Sequence, residues 1–496
     1  MKVPSEDLHA LVHALTPSER RYFRKFASRH IAGEDNQYLH LFDALCQMPV
    51  YDEKELKKRL TDYKIGGYLA VGKRYLYEQI GECLRQFHKE KLPDEKIKEQ
   101  LFFISLLLQR NLPAQAKKII YKTKKEINRY QFFHLMPELL ELERTWMDRT
   151  FYRENSTEDL GAWSEQYRYV LEQLSDLSQQ AQLGMSIARL HYRKVTMVEA
   201  ASRLDIERLL NEAPPPAGNL RAQLDRLKAL STWYFMNSQA EAAYTCNKEM
   251  LALMEQHPFL VTLEPKRYLV ALNNFLIDNH QLKRYDELAE GLVKLKSLTE
   301  NKAFQQIPGI EEKIFEQSTL LELNTWIDRA QFAEAHAQLP GIIAQLKACD
   351  HKIGEHYRLT FYYLIAYIFF ENKDFDEALS WLGLLLQQPQ KNVVEEIFRF
   401  ARWLQILAHF EQGHDQLVEY LLQAQRRQLD QHQSFSQTER LVFFNLKKLV
   451  NAANDKERNL LFESLLQQLT QLQDQAHERR VMAYFNFEAW CRKHLS

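Results

Sequence analysis

Two groups of side chains in this sequence could bind a metal ion. His9 and His13 are four residues apart, which places both imidazoles on one face of a helix. Cys349, Asp350, His351 and His356 lie close together later in the chain. The first pair has no third ligand nearby, and the second group lacks the spacing typical of a metal site. The sequence therefore predicts no bound metal and no cofactor, and it favours histidines that are ordinary members of amphipathic helices.

Catalytic signatures are absent from the sequence as well. It contains no GxxxxGK[ST], GxGxxG, GxSxG or HExxH motif and no EF-hand loop. Acidic pairs are frequent on candidate helix faces, but no pair is distinguished as a general acid and base. We therefore expect no catalytic residue and a protein that is not an enzyme. A catalytic site assembled from residues distant in sequence is the third-ranked alternative.

Cationic side chains form two faces that could bind phosphate. One belongs to the helix predicted over 17–30 and comprises Arg20, Arg21, Arg24 and Lys25. The other lies opposite three isoleucines on a second helix and comprises Lys117, Lys118, Lys122, Lys124, Lys125 and Arg129. Cations grouped in this way favour salt-sensitive contacts with a nucleic-acid backbone. The total charge is balanced, with 65 Lys and Arg against 66 Asp and Glu, and no aromatic base-stacking pattern accompanies the lysines. Both observations favour the alternative that these are solvated outer faces.

A second pattern related to nucleic acid lies in the first 90 residues. A turn at Gly66-Gly67 separates two charged helical segments, DEKELKKRL and LAVGKRYLYEQI, which together resemble a helix-turn-helix. Lys73 and Arg74 would then be the candidates for reading bases. The connecting segment is longer than the usual three or four residues, however, and Leu76 and Ile80 have the spacing of core residues.

The elements that must position these residues are helices. Thr16 to Glu19 have the pattern of a capping box, which predicts a helix start there, and Asp52 with Glu55 predicts the start of a later helix. The last segment, 438–495, predicts two or three helices.

The 496 residues correspond to about three ordinary domains or one long repeat array. The 14 glycines are few against the roughly 35 of average usage, and folds based on sheets or phosphate loops need more. The first residues carry charges where a signal peptide needs an apolar core. The longest uncharged apolar run, 359–370, is too short to span a bilayer. The five cysteines are scattered along the sequence and form no recognisable disulfide framework. We expect a cytoplasmic protein with reduced cysteines and no membrane partner.

Helical signatures recur along the chain with a period of 40–47 residues. In the clearest one, Phe375-Asp376-Glu377-Ala378, a bulky residue stands three positions before a small one at the start of a helix. Similar signatures lie at Leu112, Met197, Ala240, Tyr285, Phe332 and Asp415. The double interval between the first two implies a degenerate copy near residue 155. Such a period is typical of stacked helical hairpins, each of which buries its apolar face on its neighbours.

One of these units, 362–389, resembles a tetratricopeptide repeat. Ala378 aligns with the small second-helix residue of that family, and the remaining matches are Tyr362, Ile365, Ala366, Phe369, Leu382, Leu385 and Pro389. The unit from Glu316 is similar, whereas the other units match fewer positions and all exceed the family's 34 residues. The resemblance covers roughly residues 95–425. It implies an all-α, right-handed α-solenoid of stacked helical hairpins with helical caps at both ends.

The predicted organisation has five segments: an N-terminal helical cap over 1–94, a first part of the solenoid over 95–213, a proline-rich connector over 214–219, a second part over 220–437 and C-terminal capping helices over 438–496. Three consecutive prolines, Pro214 to Pro216, exclude helix from the connector. They either hinge two halves of the solenoid or form a long hairpin loop, and we favour the loop.

The resemblance also implies a surface for a partner. In tetratricopeptide arrays the first helix of each unit lines a concave face on which partner peptides lie, and the matching positions here are Lys228, Asn273, Asn324, Tyr363, Tyr367 and Trp403. Asparagine can bind an extended backbone, and aromatic rings supply anchors. Phe370 is expected to lie between helices instead. We therefore expect a non-catalytic scaffold or adaptor that binds a protein or peptide partner along this face. The alternative is a nucleic-acid-associated regulator that uses the N-terminal cap and the basic helix.

Overall fold

The structure is a computed structural model that describes residues 6–28, 36–89, 92–192, 200–216, 218–349, 352–389, 395–432, 436–472 and 475–495. Over these residues the chain is all-helical, with 25 α-helices, four short 3-10 helices and no β-strand. It divides into two compact units, Met1–Ala271 and Leu272–Ser496. The all-α class predicted from the sequence is therefore confirmed.

The described part of the first unit contains the following helices: α1 (Asp7–Ala14), α2 (Pro17–Ala27), α3 (Gln37–Cys46), α4 (Glu53–Arg59), α5 (Leu69–His88), α6 (Pro93–Gln109), α7 (Pro113–Tyr130), α8 (Met136–Arg149), α9 (Thr157–Tyr192), α10 (Ala200–Glu212), α11 (Leu220–Met236), α12 (Ala240–Gln256) and α13 (Pro258–Leu263). Helix α14 (Pro265–Gln281) includes the last residues of this unit and the first of the next.

The described part of the second unit continues with these helices: α15 (Tyr285–Ser297), α16 (Ile310–Asp328), α17 (Phe332–Cys349), α18 (Glu355–Glu371), α19 (Phe375–Leu386), α20 (Glu395–Glu411), α21 (Asp415–His432), α22 (Gln437–Val450), α23 (Asp455–Thr470), α24 (Ala476–Tyr484) and α25 (Phe487–Leu495). The segment after α21 thus forms four helices, where the sequence predicts two or three.

Side chains beside the helix ends explain several of these boundaries. Thr16 accepts a hydrogen bond from the N–H of Glu19 (3.3 Å), and the Glu19 carboxylate accepts one from the N–H of Thr16 (2.7 Å). This is the capping box predicted for α2. Ser436 and Glu439 form the same arrangement at the start of α22. Asp52 accepts from two N–H groups of the first turn of α4, so this helix also begins where the sequence predicts.

The repeat signatures coincide with helix starts wherever the structure describes them. Helices begin at the predicted residue, or one residue after it, for Leu112, Ala240, Tyr285, Phe332, Phe375 and Asp415. The signature at Met197 lies outside the described residues. The degenerate copy near residue 155 lies two residues before the start of α9 at Thr157, but α9 is one continuous helix of 36 residues and lacks the turn that a hairpin requires. No proline interrupts its sequence, so nothing local ends the helix.

The proline-rich connector lies inside the first unit, between α10 and α11. The carbonyl of Pro214 accepts a hydrogen bond from Gln180 Nε2 on α9 (3.1 Å), and the carbonyl of Ala213 accepts one from Arg226 Nη1 on α11 (2.5 Å). Side chains from two neighbouring helices therefore bind the connector backbone. This arrangement favours the loop over the hinge.

His9 and His13 have a structural role at the end of α3. Their Nε2 atoms lie 2.7 Å from the carbonyl oxygen of Met48 and 3.0 Å from that of Leu45. Leu45 lies in the last turn of α3, where its carbonyl also accepts from the N–H of Met48 (3.2 Å), and Met48 lies just beyond the helix. The two imidazoles of α1 therefore contact the end of α3 and the residue that follows its cap. The pair predicted to be ordinary amphipathic-helix residues thus fixes α1 against α3.

Helices of the second unit pack mainly on their neighbours in the chain. Contacts join α18 to α19, α19 to α20, α20 to α21, and each of α21 and α22 to the helix that follows it. The first helices of successive hairpins also touch, α16 with α18 and α18 with α20. Contacts of this kind, between neighbours in the chain and between equivalent helices, are what stacked hairpins require.

The longest apolar run of the sequence is a buried part of α18. Every residue from Tyr363 to Phe370 is buried there. In the part of the chain that the structure describes, no helix is long and apolar enough to cross a membrane.

Two helix-interior glycines of the second unit provide a test of the packing. A Cβ at Gly291 in α15 would overlap Cδ2 of the fully buried Leu276, whereas a Cβ at Gly383 in α19 would meet no atom within 4 Å. We expect Gly291→Ala to lower the free energy of unfolding by about 1–3 kcal/mol through overpacking. Gly383→Ala should raise it by about 0.5–1 kcal/mol, since alanine loses less backbone entropy in a helix. Chemical denaturation followed by circular dichroism measures both, and equal effects would contradict the close approach of α14 and α15.

Candidate partner-binding cavity

A cavity of about 440 Å³ lies among the inner helices of the second unit. Residues of α16, α18 and α20 and the end of α24 line it: Asn324, Ile327, Asp328, Thr360, Tyr363, Leu364, Tyr367, Glu396, Ile397, Ala483 and Tyr484. Asn324 and Asp328 are one turn apart on α16, and so are Tyr363 and Tyr367 on α18. Each pair therefore lies on one face of its helix.

The polar part of the lining is acidic. Asp328 Oδ2 lies 3.2 Å from His280 Nε2, and 46% of the Asp328 side chain stays exposed. Glu396 accepts a hydrogen bond from Tyr484 Oη (2.8 Å). Burial and this hydrogen bond raise the pKa of Tyr484 to about 12, so its phenol stays protonated and continues to donate. No Lys or Arg lines the cavity, and three aliphatic residues complete its wall. The lining suits a positively charged group on an apolar stem.

The chain's own C-terminal segment, residues 483–487, closes one side of the cavity. Tyr363 Oη donates to the carbonyl of Tyr484 (2.7 Å), and the N–H of Asn486 donates to Tyr367 Oη (3.2 Å). Phe485, between them, has an extended backbone with φ −150° and ψ 129°. Two side chains of α18 thus satisfy backbone groups of a short extended peptide.

Aromatic packing fixes this C-terminal segment. The Tyr484 ring stacks on Phe400 of α20, with centroids 4.7 Å apart and an interplanar angle of 3°. The ring of Phe485, which is 1% exposed, lies 5.1 Å from Tyr367 and 5.6 Å from Phe370. Such contacts combine large apolar burial with specific ring geometry. The C-terminal segment therefore covers the part of α18 that carries Tyr367 and Phe370.

Buried charges anchor α25 behind the segment. Glu411 accepts hydrogen bonds from Trp490 Nε1 (2.6 Å) and His494 Nε2 (2.7 Å), and Lys493 forms an ion pair with Glu371. Burial alone would raise the pKa of Glu411, but the hydrogen bonds from His494 and Trp490 and the His494 charge outweigh it and lower this pKa. Burial raises the pKa of Glu371 against the opposing effect of Lys493. The two carboxylates therefore have opposite effects on the pH dependence of stability.

Three residues predicted to contact a partner are buried. Trp403 is 0% exposed, and its Nε1 donates to Glu439 Oε1 at 3.0 Å, so the prediction that it is a partner contact is wrong. Tyr363 and Tyr367 are 2% and 3% exposed, and their hydroxyls bind the C-terminal segment. The reason is that α18 and α20 carry apolar residues around most of their circumference and must be covered. Phe370 lies between helices, as expected.

The other three predicted contacts are in different places. Asn324 lies in the cavity wall, where its Nδ2 donates to the Leu320 carbonyl of its own helix (2.7 Å). Asn273 is half-buried in α14, and Lys228 is exposed on α11 in the first unit. Of the six residues, the cavity thus brings together Asn324, Tyr363 and Tyr367.

The cavity residues that sequence reasoning missed include both carboxylates, Asp328 and Glu396, and Tyr484. The sequence does contain a signal for Asp328, because this residue follows Asn324 by one helical turn and therefore lies on the same face of the helix. Glu396 lies in the first turn of α20, where acidic residues are common at any helix start. No local pattern could place Tyr484, since it reaches the cavity from more than a hundred residues beyond α18.

The structure engages two of the four residues of the predicted basic face on α2 within the N-terminal cap. Arg20 Nη2 donates to the carbonyl of His13 (3.0 Å), and Arg24 pairs with Asp43 (2.8 Å). Arg21 and Lys25 remain exposed. Half of this predicted phosphate-binding face is therefore engaged within the cap.

The predicted basic face on α7 is also paired with acidic residues in part. Lys117 pairs with Glu154 and Lys124 with Glu143, both at 2.6 Å. The other four predicted residues are exposed: Lys118, Lys122, Lys125 and Arg129.

The helix-turn-helix prediction fails at its central residue. Lys73 Nζ donates to Tyr51 Oη (2.7 Å), and its side chain is only 14% exposed, so it is not available to read bases. Arg74 pairs with Glu78 on its own helix. A 3-10 helix, Lys64–Tyr68, replaces the short turn that the motif needs.

Across the described residues, no group of three or more His, Cys, Asp or Glu side chains is placed to hold a metal ion. Asp350 and His351, part of the second group considered above, lie outside those residues.

A comparison with family models, curated proteins and solved structures finds no match to this chain.

The Glu411 cluster generates a prediction about pH. A carboxylate whose folded pKa is lowered stabilises the fold above its unfolded pKa, near the ordinary 4.5, and this contribution is lost as the pH falls through the folded value. We expect Glu411→Gln to lower the free energy of unfolding by about 1–2 kcal/mol at pH 7, since it weakens two charge-assisted hydrogen bonds.

The difference between wild type and this variant should shrink as the pH falls below about 4.5. Urea denaturation at pH 7, 5 and 3.5 measures it. Glu419→Gln on the neighbouring α21, where the carboxylate accepts only from Asn451, is the control. A difference that persists unchanged at low pH would contradict the role of the Glu411 charge.

Proposed function

We propose that this protein is a non-catalytic cytoplasmic scaffold or adaptor with a tetratricopeptide-like, right-handed solenoid of helical hairpins. In this proposal the cavity on the inner helices of the second unit is where a protein partner docks. The partner presents a lysine or arginine side chain from an extended segment. The observation that carries the proposal is the cavity's acidic and aromatic lining.

The position of the cavity supports partner binding. Its walls come from α16, α18 and α20, which are the first helices of the hairpins that the sequence predicts. In the family that these hairpins resemble, first helices line the partner-binding face. Three of the residues assigned to that face from the sequence, Asn324, Tyr363 and Tyr367, lie in the cavity wall.

The C-terminal segment shows what kind of backbone this surface accommodates. The stretch around Phe485 is extended, and the hydroxyls of Tyr363 and Tyr367 bind its carbonyl and amide groups. Extended peptides are recognised by such backbone hydrogen bonds together with pockets for alternate side chains. A partner peptide that continued along the same face would place one side chain in the cavity.

The charge of the cavity lining specifies which kind of partner side chain it accommodates. Asp328 and Glu396 give the lining two carboxylates and no cation of its own, and Ile327, Leu364 and Ile397 form apolar walls. Lysine and arginine bury an aliphatic stem while their cationic end stays near acceptors and water. The volume also falls within the range for small-molecule sites, about 300–1,000 Å³, so a free amine is the competing occupant.

A peptide selection tests the proposal. The tagged full-length protein is used to select binders from a random peptide display library, and the affinities of selected peptides are measured by calorimetry. We expect enrichment of lysine or arginine flanked by apolar residues. The double variant Asp328→Asn/Glu396→Gln should bind these peptides at least about tenfold more weakly, because hydrogen bonds to charged groups contribute about 1.5–3 kcal/mol.

The matched control is Glu311→Gln/Glu395→Gln, which removes two exposed carboxylates from the same two helices outside the cavity. It should leave the affinity within about twofold of wild type. Selected peptides without a cation, or equal losses in the two double variants, would contradict the proposal. Competition by a simple alkylamine with no peptide enrichment would identify a small-molecule site instead.

A further inference from the structure

Four cations on α7 have no acidic partner among the residues that the structure describes. No carboxylate oxygen in the described part of the chain lies within 4.0 Å of the side-chain nitrogens of Lys118, Lys122, Lys125 or Arg129. Glu126, the one acidic residue of α7, is half-buried and pairs with none of them. All four side chains are exposed. They are therefore free to bind an external anion.

These residues form a straight stripe. Their spacings of four, three and four residues place them within about 60° of one another on an ideal helix and over about 16 Å of its length. The stripe lies opposite the buried face of the helix, which Ala116, Ile120 and Ile127 form. We call these four residues the cationic stripe.

The other two cations of α7, Lys117 and Lys124, do have acidic partners. Lys117 and Lys124 are displaced from the cationic stripe by about 100° or more, and Glu154 and Glu143 bind them. Any surface helix turns a polar face to water, so exposure alone would carry no inference. The contrast is between two neutralised cations on the flank and four unneutralised ones in a row.

An aromatic ring lies beside the cationic stripe. Tyr121 is 63% exposed, and Lys125 Nζ lies 4.5 Å from its ring centroid. Proteins that bind single-stranded nucleic acids without sequence preference combine a row of cations along the backbone with aromatic rings on which bases stack. A lipid surface would instead require a free apolar face, and that of α7 is buried.

We propose that the cationic stripe of α7, with Tyr121 beside it, is a binding site for single-stranded nucleic acid. Lys118, Lys122, Lys125 and Arg129 contact successive phosphates, and one base stacks on Tyr121. The site is independent of the cavity in the second unit. Because the whole chain has a net charge of −1, the attraction for nucleic acid comes from the local charge of the cationic stripe. The affinity is therefore micromolar or weaker at physiological salt.

Fluorescence anisotropy with labelled 20-nucleotide oligo(dT) and oligo(rU) and the full-length protein tests this site. Four phosphate contacts predict a slope of log K against log salt near −2.8, which corresponds to about a 50-fold loss between 50 and 200 mM salt. Lys122→Gln/Lys125→Gln should reduce the magnitude of the slope by about 1.4. Tyr121→Ala should weaken binding roughly tenfold. Arg129→Gln, two helical turns from the Tyr121 ring, should instead reduce the magnitude of the slope by about 0.7.

The control Lys447→Gln/Lys448→Gln removes the same charge from two exposed cations of α22, which belong to no candidate phosphate-binding face. It should leave both the affinity and the slope nearly unchanged, and circular dichroism verifies that every variant is folded. Equal losses in the two double variants, or a slope near zero, would overturn the proposal. So would equal binding of polyglutamate, which would indicate an acidic protein partner, or stripe-dependent binding to vesicles with 30% anionic lipid but not to oligonucleotides.

Discussion

The second unit depends on covering α18 on every side. All residues from Tyr363 to Phe370 are buried, and a helix that is apolar around its whole circumference cannot be left in water. Helices α16, α19 and α20 cover part of it, and the aromatic segment 484–487 covers more. The four C-terminal helices bring that segment into place, and the ion pair and hydrogen bonds of Glu371 and Glu411 hold it there. The cavity lies where the segment, α16, α18 and α20 meet.

Helix starts were predictable because their signals are local. Thr16 and Asp52 cap the helices that follow them, and the repeat signatures from Ala240 to Asp415 each open a helix. These signals need only three or four consecutive residues to act. The repeat period also predicted a helix start near residue 155, and α9 begins at Thr157. The turn of a hairpin does not follow, because the sequence over 157–192 contains no proline to end the helix.

The candidate site was only partly predictable, because it depends on what covers each helix. The sequence shows that Tyr363 and Tyr367 share a face, and both lie in the cavity wall. It cannot show that Tyr484 and Asn486 would reach the same face, since no local pattern links residues so far apart. Trp403 illustrates the limit: its position on a first helix suggested a partner contact, yet Glu439 from a later helix binds its indole in the core.

The cationic stripe shows that a pattern of charges in a sequence can be interpreted only when the positions of nearby opposite charges are known. The sequence spacing places Lys117 and Lys124 on the flank of α7, but only the positions of Glu143 and Glu154 show that these two cations are neutralised. The other four carry a cost: Lys118 with Lys122, and Lys125 with Arg129, are like charges one turn apart, which destabilises a helix by roughly 0.2–0.5 kcal/mol per pair. A glutamate in place of Lys122 would remove the repulsion of the first pair only. A phosphate backbone bound along the stripe offsets the same repulsion without any change in sequence, so ligand binding and helix stability are coupled at this site.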